Sequence, residues 1–206
     1  MLSRSRTKQC RASGVDVRIV TADQFFWLLA RVTGLSSYAT LAIALVTGIA
    51  LRTAVLDWLA ANRALRSLHE FTTVLWIPLA ALHLLSLLLD TTARVGVLDV
   101  VVPFHSSYGT LAIGVGALSL DLLLAVTVTA LLKRRIRKGV WLWIHRLSYA
   151  AFALIFLHAV LSGTDFSDPA VSAITWGAAA ALLTLSLARL VGGSRALPHP
   201  RGGSHG

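Results

Sequence analysis

The sequence predicts an all-α fold, a polytopic transmembrane helical bundle of about five spans. Three observations predict it. Of 206 residues, 56 % are apolar and only 14 % are charged, whereas a soluble domain carries about 25 % charged residues. Mean hydropathy is +0.73, and several apolar runs reach the ~20 residues that span ~30 Å of hydrocarbon. The charges sit in short blocks between those runs. The formal net charge of +10 therefore does not predict a nucleic-acid partner, because its placement is that of membrane-flanking loops. Cys10 is the single cysteine, which excludes an intrachain disulfide and a cysteine-based metal cluster.

The elements follow in order. Residues 1–24 form a basic N-terminal tail with Arg4, Arg6, Lys8, Arg11 and Arg18, and they lack the apolar core of a signal peptide. Residues 25–191 form one transmembrane domain, and 192–206 a short C-terminal tail rich in Gly, Pro and His. The first apolar stretch runs from Phe25 to Leu51, interrupted by Arg31. Its uninterrupted part, Val32 to Leu51, is long enough to span, while Phe25 to Arg31 lies in the interface or extends the helix. A loop with Arg52, Asp57, Arg63 and Arg66 follows. The second span runs from near His69 to Leu89 and contains Pro78, which removes one ladder hydrogen bond and predicts a kink. The loop 90–108 precedes a third span, Gly109 to Leu132, that carries Asp121. The densest basic block, Lys133-Arg134-Arg135-Ile136-Arg137-Lys138, leads to the fourth span, Val140 to Leu161. Trp141 and Trp143 at its start suit a membrane interface. The loop with Asp165 and Asp168 leads to a fifth span, Val171 to Val191. No internal repeat is evident.

The positive-inside rule orients the chain. The block 133–138 faces the cytoplasm, and the loop 162–170, without Lys or Arg, faces outward. Counting back places loop 52–68 and the C-terminal tail inside, and loop 90–108 and the N-terminus outside. The basic N-terminal tail runs against this count. The predicted location is a multi-pass integral protein of a bacterial plasma (inner) membrane, in contact with membrane lipid.

Four of the seven histidines fall in spans two and four. His69 and His83 are 14 residues apart, and His145 and His158 are 13 apart. At 1.5 Å per residue those separations are about 21 and 20 Å. One span intervenes, so spans two and four run in the same direction. His69 then lies level with His145 on the cytoplasmic side, and His83 level with His158 on the outer side. Two haem irons, each with two axial imidazoles, need that arrangement, since the ligands must approach the porphyrin from facing helices at equal depth. The expectation is two b-type haems between spans two and four, with iron held by His69 and His145 (inner) and by His83 and His158 (outer). No catalytic residue is assigned. On an ideal helix His145 and His158 stand about 140° apart, an offset met if the two haems lie at different azimuths. The other reading is that each histidine only makes an interhelical hydrogen bond.

The pattern resembles the ferric-reductase-like transmembrane domain family. That family includes NADPH oxidases, ferric-chelate reductases and the haem-binding membrane subunit of the bacterial periplasmic methionine sulfoxide reductase. The resemblance rests on His69 and His83 in one span and on Trp141-Leu-Trp-Ile-His145-Arg-Leu-Ser-Tyr with His158 in another. The basic loop before the latter span and Ser162-Gly-Thr-Asp165 after it also match. It covers roughly residues 25–191. It implies electron transfer across the bilayer through b-type haems, from a separate flavoprotein or quinol donor to an extracytoplasmic acceptor. The oxidases and ferric reductases of the family continue into a cytoplasmic flavin and nicotinamide module. Here no glycine-rich turn able to bind a dinucleotide occurs, so the chain is expected to lack a nicotinamide site. The resemblance also implies that the first of the oxidases' six spans is missing.

Other residues carry weaker expectations. Asp121 is a proton relay or makes a packing hydrogen bond to Ser or Thr. Arg66 and Arg146 either pair with inner propionates or anchor the chain at the inner face. Arg94 is the one cation of the outer loop 90–108 and hence its candidate for outer propionates or an anionic acceptor. Trp76, Tyr149, Phe152 and Phe156 pack between the two levels. Three functions compete. The first is a membrane di-haem electron-transfer subunit. The second is a haem-free transport or assembly subunit whose histidines bond between helices. The third is direct reduction of ferric chelates at the outer haem, so that whether the chain is itself an oxidoreductase stays open.

Overall fold

The structure, a computed structural model, describes residues 21–53, 61–163 and 169–192. Cys10, Asp57, Asp165, Asp168 and most of both expected tails lie outside the described residues. Among the described residues six helices follow one another: α1 (Ala22–Thr53), α2 (Asn62–Leu89), α3 (Val97–Val101), α4 (Thr110–Leu131), α5 (Lys138–Ser162) and α6 (Pro169–Gly192). Among the described residues there is no strand.

Among the described residues four helices, α1, α2, α4 and α5, are long and apolar enough to cross a membrane. The chain is thus all-helical and has the character of an integral membrane protein. The fifth expected span falls within α6, whose apolar stretch among the described residues is the shorter Thr175–Leu187. The 32 residues of α1 rise about 48 Å, so Phe25 to Arg31 extends the first helix and does not form a separate interfacial segment. Arg31 is tolerated there because its guanidinium lies 4.2 Å from the centroid of the Trp27 ring one turn back, a cation–π contact in which the long stem packs along apolar surface. α2 runs through Pro78 without a break.

Large apolar side chains cover the surface as well as the core. Phe71, Val74, Leu85, Leu124 and Leu131 are exposed on the outer surface. Thr33, Thr40, Thr47, Thr72, Ser86 and Ser119 are buried, and each hydroxyl donates to a carbonyl three or four residues back in its own helix. Small hydroxylated residues let helices approach closely in lipid, where apolar side chains give no hydrophobic drive to associate.

Two antiparallel hairpins result. α1 packs along the length of α2, and α4 along α5, while α3 lies on α4 and α1 also touches α5 and α6. Between the hairpins, Leu41, Trp76, Leu123, Ala151, Phe152 and Leu182 form the core. Trp76 stands seven residues from both His69 and His83, and Tyr38 stacks on Phe152 at 5.3 Å, so the aromatic packing sits between the two histidine levels as expected. In the connection between α3 and α4, Phe104 adopts a positive φ of 63° and its ring occupies the space that a Cβ on Gly114 would need. That contact holds the connection against α4.

Candidate functional site: two facing imidazole pairs

The two hairpins each contribute one helix with two histidines. His69 faces His145 with ring centroids 6.4 Å apart and planes at 77°. His83 faces His158 at 6.5 Å and 79°. The structure therefore brings the four histidines together as two pairs across α2 and α5, in the register that equal depth requires. Both pairs form in spite of the odd 13-residue spacing in α5.

The ring nitrogens are arranged for a second partner. His69 Nδ1 is 2.9 Å from the Ala44 carbonyl, His83 Nδ1 2.8 Å from that of Ala30, and His158 Nδ1 2.8 Å from that of Ala112. A carbonyl oxygen only accepts, so Nδ1–H donates and the lone pair is left on Nε2. Hydrogen bonds of this kind fix the tautomer and orientation of metal-binding histidines. His145 is held differently: the Trp141 indole stacks on it at 5.4 Å and 25°.

A repeated sequence device builds these bonds, and sequence reading alone missed it. Ala30-Arg-Val-Thr-Gly34 and Ala44-Leu-Val-Thr-Gly48 are the same five-residue pattern, 14 residues apart on α1, matching the spacing of His83 and His69 on α2. Each alanine supplies the acceptor carbonyl, and the glycine four residues on leaves room for the ring. A Cβ on Gly34 would come within 2.9 Å of His83 Nδ1, and one on Gly48 within 3.2 Å of His69 Cε1. On α4, Ala112 and Gly116 repeat the alanine–glycine spacing, and a Cβ on Gly116 would meet His158 Nδ1 at 2.6 Å. The chain, in which no internal repeat was evident, thus carries a short one, A-x-V-T-G.

A cavity of about 800 Å³ surrounds the outer pair and extends inward to Trp76 and Leu123, within the roughly 300–1,000 Å³ of cofactor pockets. Its lining is mainly apolar, with Asp90, Asp99 and Tyr108 toward the outer connection. Asp90 is buried and accepts hydrogen bonds from Thr92 N and Oγ1. Asp99 accepts from the Gly96 N–H and bonds His105 Nδ1 at 2.8 Å. The Gly96 N–H, with His105 beside it, holds the Asp99 carboxyl below the usual carboxylate range. The cation that lines the cavity is Arg31, which the sequence reading treated only as an interruption. Arg94 is exposed with a positive φ of 52° and does not line it.

Arg66 and Arg146 are exposed, and the Arg146 guanidinium lies 5.2 Å from the Trp143 ring centroid. Asp121 lies on an exposed face of α4, and no Ser or Thr among the described residues bonds it, so the expected packing bond does not form. Phe156 meets Trp176 of α6 edge to face at 5.1 Å.

Among the described residues no three His, Cys, Asp or Glu side chains converge. A metal held here by one imidazole pair would draw its remaining coordination from its own ligand, which is the donor set of a bis-imidazole metalloporphyrin. The geometry fits it. With bonds of about 2.0 Å and rings of about 1.15 Å radius, two trans imidazoles have centroids about 6.3 Å apart. A direct N–H···N bond of about 2.9 Å would bring them to about 5.2 Å.

Fold and site together define a membrane-spanning helical bundle with two stacked imidazole pairs. The chain belongs to the family described as a domain of unknown function (DUF8596), which matches residues 25–165 and so includes all four paired histidines. No curated protein and no solved structure matches the chain.

Proposed function

We propose that this chain is a di-haem b-type cytochrome subunit that passes electrons across the bilayer. The observation that carries the reading is the pair of centroid separations, 6.4 and 6.5 Å. They match two imidazoles on opposite sides of one metal and exceed the reach of a direct bond between the rings. The haem-free alternative accounts for the Nδ1 bonds to Ala30, Ala44 and Ala112, but not for the convergence of the rings in pairs. The resemblance to ferric-reductase-like domains supports the same reading and suggests the direction, from a cytoplasmic flavoprotein or quinol to an extracytoplasmic acceptor. A bound haem supplies one-electron chemistry between ferric and ferrous iron.

The chain's own residues do the rest. His69 and His145 hold the inner group, His83 and His158 the outer one, and the alanine carbonyls keep Nε2 of three of them unprotonated for ligation. Gly34, Gly48 and Gly116 let the neighbouring helix close against the rings. Trp76, Phe152 and Tyr38 fill the space between the levels and exclude water. With no dinucleotide motif in the chain, the purified protein should be reduced by dithionite but not by NADPH alone, and rapid reduction by NADPH in a flavin-free preparation would reveal a site the sequence does not predict.

Transfer itself is tested in sealed vesicles containing ferricyanide, with dithionite added outside. Each ferricyanide reduced takes one electron from the external reductant. Vesicles carrying the protein should bleach the trapped ferricyanide, and His83→Ala should stop it. Equal bleaching with and without protein would refute transmembrane transfer.

A further inference from the structure

Trp141 lies in the first turn of α5, one helical turn before His145. Its indole stacks on that imidazole, while its Nε1–H is buried without a hydrogen-bond partner. An indole N–H can only donate, and a buried donor left unmet is unfavourable. Phenylalanine would stack equally well without that cost, so the nitrogen calls for an acceptor. The acceptor's charge is indicated by the sequence just before it. Lys133, Arg134, Arg135, Arg137 and Lys138 all precede Trp141 within eight residues, and such a field favours an anion over a neutral carbonyl.

We propose that Trp141 donates a hydrogen bond to a carboxylate carried by the group seated between His69 and His145, so that the inner site selects a porphyrin with free propionates over an esterified one. This rests on the di-haem reading and adds a specificity determinant to it. Trp141 is the site's anion-recognising residue as well as the stacking support of one ligand. Tyr38, whose buried hydroxyl also has no partner, is four residues from Gly34 at the outer level and has no part in this selection.

The test uses the full-length protein, purified haem-free and titrated with iron protoporphyrin IX or with its dimethyl ester. The readout is the bis-imidazole spectrum of the inner component, with the outer component as an internal control of folding. The wild type should bind the free acid at the inner pair about tenfold or more tightly than the ester, the worth of a hydrogen bond to a charged group. Trp141→Phe should bring the two within about threefold, the loss isolated by the double comparison. Trp141→His, which restores a ring N–H, should recover part of the difference, and Tyr38→Phe should leave it intact. Equal binding of both porphyrins by the wild type, or full discrimination in Trp141→Phe, overturns the proposal and leaves the di-haem reading standing. Failure to bind either porphyrin refutes the reading on which it rests.

Discussion

His69→Ala and His145→Ala should each abolish the same low-spin haem component, and the double variant should lose little more. The two rings face one another at 6.4 Å, so either substitution would leave a haem iron held there with one protein ligand. Residues that act as a unit are not additive, and the loss from each single variant should be near complete. His83→Ala and His158→Ala, whose rings face at 6.5 Å, should together define the other component. Redox titration of the four single variants separates them. If His69→Ala shared its missing component with His158→Ala, the parallel register of α2 and α5 would be wrong.

The second large effect is expected from a glycine, which has no side chain to ligate a metal. Gly116→Ala would place a methyl group 2.6 Å from His158 Nδ1 and 2.8 Å from Cε1, closer than a Cβ comes to another atom. The ring must move away from α4, and its 2.8 Å bond to the Ala112 carbonyl is lost with it. Overpacking of this kind costs about 1–3 kcal/mol, and the lost hydrogen bond about 1 kcal/mol more. The outer component should become high-spin or disappear while the inner one survives. Gly34→Ala, at 2.9 Å from His83 Nδ1, should do the same more weakly, and Gly48→Ala, at 3.2 Å from His69 Cε1, should only perturb the inner component. A Gly116→Ala protein with an unchanged outer spectrum would show that the close packing of α4 on His158 is not needed.

The parts of this molecule that periodicity and charge control were legible in the sequence. Apolar runs mark α1, α2, α4 and α5 because a lipid-facing helix needs apolar side chains around most of its circumference. The spacings of 14 and 13 mark the two histidine levels because axial rise is a fixed quantity. What stayed hidden depended on side-chain contacts that hydropathy does not encode. Arg31 read as an interruption because composition does not show that its guanidinium lies over Trp27, one turn back on the same helix. Arg94 read as a candidate because loop composition does not say where a side chain points. The alanine carbonyls carry no side-chain signal at all. Only the repeated A-x-V-T-G at residues 30–34 and 44–48, in step with His83 and His69, betrays them. The length of α1 was similarly obscured, since hydropathy falls at Arg31 while the helix continues from Ala22.

The central claim is that the two imidazole pairs hold haem, and a pyridine haemochrome assay against protein concentration tests it most directly. Protein purified from haem-replete cells should contain about two b-type haems per chain, both low-spin because both axial positions are filled. A ratio near one would mean that a single pair ligates. Protein that is folded, membrane-inserted and free of haem would contradict the account and leave the four histidines as interhelical hydrogen-bond donors.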